Sequence, residues 1–347
     1  MPEFSESAQR LIGGIVPVAV VGCLVVWAAA GARLVRGHPV VAYEPRRQAP
    51  WTCVDLLLVL LVNFGLQTII VLGVVAVVGQ AEGDAPQSPA SLRLLLITSV
   101  VAQLASFALA VIILRHRSRA TPVDLGWDAV PAARDVALGL GAFVALLVPV
   151  YAIQAALVEW VDVPYEHGLI DALNVDKSLV NFALCTLMAV IIAPLTEEFL
   201  FRLVLQGWFE RAEAILLGDR LSDRQEETET EVEDVGDQQM SDFETPLAPE
   251  NPYLSPDLVT PPPEAESSPQ PCRAPRWPRG LVPVLLSSSL FALAHLGQGA
   301  APTPLFFLAI GLGYLYRRTH RLLPCILVHM LINATSMAMM GLALFGS

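Results

Sequence analysis

The stretch "IIAPLTEEFLFRLVLQGWF", Ile191–Phe209, decides how the rest of the chain is read. It is apolar enough to lie in a bilayer, yet Glu197, Glu198 and Arg202 stand in its middle. A charge at the centre of a membrane helix costs about 2.5–3.5 kcal/mol, so such a cluster persists where something uses it. Glu198 and Arg202 are four residues apart, about 40° around a helix, and therefore share a face and can pair. Glu197 points about 100° from Glu198 and about 140° from Arg202. The two acids thus have different roles. Arg202 neutralises and fixes Glu198, a task a lysine could share, and Glu197 is left free to act as a general base.

Composition agrees with a membrane setting. The chain has 347 residues, 54% hydrophobic and 16% charged, with mean hydropathy +0.56, which is the membrane class. Apolar runs long enough to cross a bilayer recur at about 11–32, 54–78, 94–114, 135–158, 178–216, 281–296, 303–316 and 322–345. Pro194 is expected to kink the fifth or divide it in two. The fold expected is all-α: a polytopic membrane helix bundle of about eight transmembrane helices. Five cysteines lie scattered without a CxxC pair, which excludes a disulfide framework and a thiolate metal site. Val20–Cys23 resembles a lipoprotein cleavage box. However, "MPEFSESAQ" before it carries two acids and the apolar run continues past Cys23, so a retained first helix is expected.

Of the net charge of −12, a −10 share falls between Gly218 and Gly280, where 15 Asp/Glu face 5 Arg. This segment is acidic and then proline-rich, with too little apolar surface to offset the entropy of folding. Residues 219–279 are therefore expected to be a disordered loop. It divides a catalytic membrane domain at 178–218 and 280–347, preceded by N-terminal transmembrane helices at 1–177. Excluding Arg202, 17 basic residues fall on the side of this loop and 3 (Arg10, Arg93 and Lys177) on the other. By the positive-inside rule both termini are outside and the loop is cytoplasmic. A single lysine among 21 basic residues suggests a GC-rich genome, hence a bacterial inner-membrane protein. Trp51 and Trp160 are expected as interface anchors. His38, His116 and His320, beside arginines, and His167, in a loop, are expected to be ordinary solvated or interfacial residues. No nucleic-acid partner is expected.

Two further segments carry polar groups at helical spacing. "SSSLFALAHLG" sets Phe291 and His295 four apart, and "PCILVHMLINATS" does the same for His329 and Asn333. A single His or Asn in a membrane helix often only bonds a neighbouring helix. Together with the carboxylate pair, on three different helices, they form a candidate site.

"EEFLFR", "FALAH" and "HMLIN", in this order, resemble the EExxxR, FxxxH and HxxxN motifs of the CPBP family, the intramembrane proteases related to type II CAAX prenyl endopeptidase. The resemblance covers about residues 178–345 and is complete at Glu197, Glu198, Arg202, Phe291, His295, His329 and Asn333. The family's link between its first two motifs is usually much shorter than the 219–279 segment. The resemblance implies an intramembrane endopeptidase that acts on membrane-tethered protein or peptide substrates. Glu197 with His295 would activate water, and His329 with Asn333 would stabilise the oxyanion. Glu198, Arg202 and Phe291 would support them. A zinc ion on Glu197, His295 and His329 is the alternative; with no HExxH motif, a metal-free site is favoured and no cofactor is expected. A non-catalytic relative, of the bacteriocin self-immunity or scaffold type, and a proton-coupled transporter remain as competing classes. The motif residues are all present, and no internal repeat speaks for a transporter.

Overall fold

The computed structural model describes residues 5–45, 48–82, 88–127, 132–160, 168–217 and 279–345. Among these there is helix and connecting turn but no β-strand. The 219–279 loop, up to Pro278, lies outside the described residues. Two compact units are formed, Met1–Ala212 with Gly280–Ser347, and Glu213–Arg279; the first is described below.

Among the described residues nine helices follow one another: α1 (Glu6–Val35), α2 (from Cys53–Leu60 through Leu61–Leu66 to Gln67–Glu82), α3 (Pro89–Arg117), α4 (Ala132–Trp160), α5 (Gly168–Val175), α6 (from Leu179–Thr186 to Gly207–Leu216), α7 (Leu281–Leu293), α8 (Pro302–Thr319) and α9 (Leu322–Phe345). Six are long and apolar enough to cross a membrane: α1, α2, α3, α4, α6 and α9. The other two expected spans are helices too, but differ. α7 is apolar with only 13 residues, about 20 Å at 1.5 Å per residue. The 18 residues of α8 end in a Tyr-Arg-Arg-Thr turn. The molecule is a multi-pass membrane protein.

Pro194 neither breaks nor divides α6. The turn before it, Leu187–Ile192, is π-helical, and a second π segment occupies Phe199–Gln206. A π turn takes one more residue than an α turn and moves the backbone of the preceding turn clear of the proline ring. Pro149 in α4 is met differently. Having no N–H, it leaves the Ala145 carbonyl free, and Trp27 of α1 donates its indole N–H there at 3.0 Å. This bond holds α1 to the bundle through an otherwise exposed helix.

The motif helix α6 packs between α9, which meets its first π segment, and α7, which meets its second; α4 closes against α8 and α9. Trp51 is no interface anchor. It is 1% exposed, and its indole N–H donates to the Val204 carbonyl of the second π segment at 3.0 Å. Gly207 makes room for it: a Cβ there would lie 3.0 Å from the indole ring. Trp160 is exposed.

Five of the arginines assigned to one side by sequence meet at one end of this unit. Arg211 Nη1 donates to the carbonyls of Ala49, Pro50 and Trp51 at 2.8–3.1 Å, and Arg318 Nε to Val41 at 2.8 Å. Arg321 bonds Asp135 at 2.7 Å and also pairs with Glu44, which Arg134 reaches at 2.8 Å. Arg117 meets Asp55 at 2.9 Å. Residues 41–45 and 48–51 are thereby strapped across the ends of α4, α6 and α8. His320 belongs to this strap and is not a solvated residue: it is 8% exposed, with Nδ1 3.1 Å from the Glu44 carbonyl and Nε2 3.2 Å from Glu210. At the opposite end Arg93 bonds Asp176 at 2.8 Å and Ser178 at 3.1 Å.

Candidate active site

The expected ion pair within α6 is formed: Arg202 Nε donates to Glu198 Oε2 at 3.0 Å, with both side chains 0% exposed. Burying two charges is favourable only when their remaining valences are met, and here most are. Glu198 Oε1 lies 2.8 Å from His329 Nδ1. Arg202 Nη1 donates to Ser287 Oγ at 3.3 Å, and Ser287 donates onward to the Phe201 carbonyl at 2.6 Å. The guanidinium lies over the Phe291 ring, 5.2 Å from its centre, a geometry that adds cation–π attraction.

A carboxylate paired with arginine can only accept, so His329 Nδ1 carries the proton and Nε2 points the other way. Nε2 lies 3.8 Å from Glu197 Oε2, beyond a hydrogen bond. The two atoms sit side by side and can hold one small polar group between them. Glu197 retains 27% side-chain exposure. The two neighbouring acids are therefore in opposite situations: Glu198 is enclosed and committed, Glu197 reachable.

His295 does not sit in the helix that carries Phe291. α7 ends at Leu293, and His295 lies in the turn beyond it. It still reaches back: Nδ1 is 2.7 Å from the Phe291 carbonyl, which fixes the proton on Nδ1 and leaves Nε2 as an acceptor. Its ring centre is 4.8 Å from that of Phe291, and that of His329 is 5.8 Å from the same ring. Phe291, wholly buried, is thus the shared wall between the two imidazoles.

Asn333 has a backbone partner. Its Nδ2 donates to the Ala189 carbonyl at 2.8 Å. The first π segment explains why that carbonyl is open. The Ala193 N–H reaches back to Met188, and the next residue, Pro194, has no N–H to offer. One N–H of the carboxamide remains for other use.

The structure thus joins Glu197, Glu198, Arg202, Phe291 and His329 directly, with His295 against Phe291 and Asn333 one turn along α9. Ser287 is a member that sequence reading passed over. The signal was available, since Ser287, Phe291 and His295 follow one another at intervals of four. Zinc binding requires converging nitrogen and oxygen donors at about 2.0–2.2 Å. Among the described residues no three His, Cys, Asp or Glu side chains form a group able to hold a metal. His295 and His329 each have Nδ1 engaged and Nε2 free, and no step is assigned to zinc.

No curated protein and no solved structure matches the chain. Residues 269–335 match the family described as Type II CAAX prenyl endopeptidase Rce1-like. This segment holds Phe291, His295, His329 and Asn333, while Glu197, Glu198 and Arg202 lie outside it and reach the same site only through the fold. The match spans 67 of the 347 residues, and it makes this segment similar to a family of membrane-embedded peptidases.

Proposed function

We propose that the protein is an intramembrane endopeptidase that hydrolyses membrane-tethered protein or peptide substrates with water activated by Glu197 and His295. One observation carries this reading: Glu197 is the reachable carboxylate, 3.8 Å from the Nε2 of a histidine whose other nitrogen is fixed by a buried acid. Glu197 takes the proton of the attacking water as general base. His295, with Nδ1 committed, offers Nε2 to the same water. His329, held by Glu198, presents Nε2 to the developing oxyanion and acts as donor when that nitrogen is protonated; the second N–H of Asn333 adds to it. Protons taken by Glu197 return to the leaving amine. The reaction needs no metal in this scheme.

The arginine count supports a strapped end that faces the cytoplasm of a bacterial inner membrane, and a cytoplasmic 219–279 loop. The test is cleavage of a membrane-tethered reporter peptide by purified protein in lipid vesicles. Glu197→Gln keeps the shape and loses the base, and turnover should fall at least 10²–10⁴-fold. Glu198→Gln should lower stability first and leave residual turnover. Full activity of Glu197→Gln would overturn the assignment. Chelator-treated protein should remain active; activity that vanishes on stripping and returns with zinc would replace the metal-free scheme.

A further inference from the structure

Four polar residues follow one another along α6 at intervals of one turn: Glu198, Arg202, Gln206 and Glu210. The file runs from the candidate active site to the strapped end, where Glu210 meets His320 and Arg317. Its first and last rungs are closed, by Arg202 to Glu198 at 3.0 Å and by Gln206 Nε2 to Glu210 Oε1 at 3.1 Å. The middle rung is not. Arg202 Nη2 and Gln206 Oε1 are buried and have no hydrogen-bond partner among the described residues; neither has Ser288 Oγ.

These are not surface groups. Arg202, Gln206 and Ser288 are each 0% exposed, where a polar atom left without a partner is destabilising. A flipped amide does not resolve the conflict. Gln206 Nε2 faces two acceptors, the Gly313 carbonyl at 2.9 Å and Glu210, so the oxygen must point the other way. Gln206 Oε1, from α6, and Ser288 Oγ, from α7, meet beside α8, and Arg202 stands one turn before Gln206 on α6. A Cβ on Gly313 would lie 3.0 Å from Gln206 Oε1 and 3.7 Å from Ser288 Oγ. Ser288 adjoins Ser287, which holds the other terminal nitrogen of Arg202. One of the three atoms is an obligate donor, one an obligate acceptor, and the third can be either.

We propose that Arg202 Nη2, Gln206 Oε1 and Ser288 Oγ bind one internal water molecule against the bare Cα of Gly313. The water accepts from the guanidinium, donates to the amide oxygen, and shares a third bond with the hydroxyl. Three bonds is the usual complement of a buried water. A cation is disfavoured by the guanidinium, and an anion by the amide oxygen and by the carboxylates at both ends of the file. The water closes the middle rung and makes Gln206 a positioning residue. Through it, Gln206 orients Arg202, which holds Glu198, which in turn holds His329. This site does not depend on which reaction the protein performs.

The decisive experiment is a map of the full chain in lipid nanodiscs at a resolution that shows ordered water. A single peak within hydrogen-bond distance of all three atoms is expected. A Gln206 oxygen resting directly on Arg202, or no peak there, overturns the proposal. Melting of Gln206→Met, Ser288→Ala and the double variant gives a second reading. A shared water is lost by the first substitution, so the double variant's fall in melting temperature should be smaller than the sum of the single falls. Additive falls count against the water. Gly313→Ala, which crowds the same atoms, should remove the peak.

Discussion

Arg202 shows how far a residue's type can be read from its spacing. Four residues from Glu198, it is expected to neutralise that acid, and by this criterion lysine would serve. In the structure Nε, Nη1 and the guanidinium face have three separate tasks: Glu198, Ser287 and Phe291. An ammonium offers neither the fork nor the plane. Arg202→Lys should therefore fold with reduced melting temperature, and Arg202→Leu, which strands a buried carboxylate, should lose about 3–5 kcal/mol. Thermal melts in detergent with turnover measured in parallel separate the two. Asn333 is the converse case. Its spacing from His329 points to the reaction, whereas the fold also gives it the Ala189 carbonyl. Asn333→Ala should accordingly reduce stability by about 1–3 kcal/mol and, separately, turnover by about 10²–10³-fold. A stability loss with unchanged turnover would make it a structural residue only.

At the scale of elements, six helices were legible because each is a long apolar run whose length bilayer thickness sets, whereas the eight-residue α5 is too short to show as one. The π turns were not. No residue type announces one extra residue in a turn, and Pro194, the one local sign, reads equally well as a kink. Trp51 and His320 were misjudged for a common reason. Both lie at helix ends in the sequence, where interfacial residues belong, and only the strap folding back over the bundle encloses them. Trp51→Phe keeps the ring but leaves the Val204 carbonyl without its indole donor, and should cost about 1 kcal/mol; Trp51→Ala also empties a core site and should cost about 3–5 kcal/mol. The opposite end offers a pH-dependent test. The Arg93 guanidinium, aided by Ser178, holds the Asp176 carboxyl below its ordinary value near 3.8. A depressed acid stabilises the fold above its ordinary value, and that contribution fades as pH falls through the native one. Arg93→Met should thus melt below wild type at pH 6, with the two curves converging in strong acid.

At the scale of the whole molecule, the count of 17 basic residues against 3 divides the chain into two ends before any contact is known, and Arg117, Arg134, Arg211, Arg318 and Arg321 meet at one of them while Arg93 lies at the other. A single cysteine placed near Glu229 should resist labelling from outside intact cells; labelling there would invert the orientation. The three motifs were legible too, and so was the expectation that they form one site, but the contacts that join them were not, because α6 is held to α7 and α9 by packing rather than by proximity in the chain. The strap has a consequence for how the protein is made. Its arginines are used twice, at two times: first as plain positive charges during insertion, then as forked donors to carbonyls and carboxylates once the bundle has closed. Insertion reads lysine and arginine alike, whereas the closed bundle does not. Replacing Arg117, Arg211, Arg318 and Arg321 together by lysine should give a chain that enters the membrane the right way round and then fails to hold its strap, separating in one variant the instruction for direction from the instruction for closure.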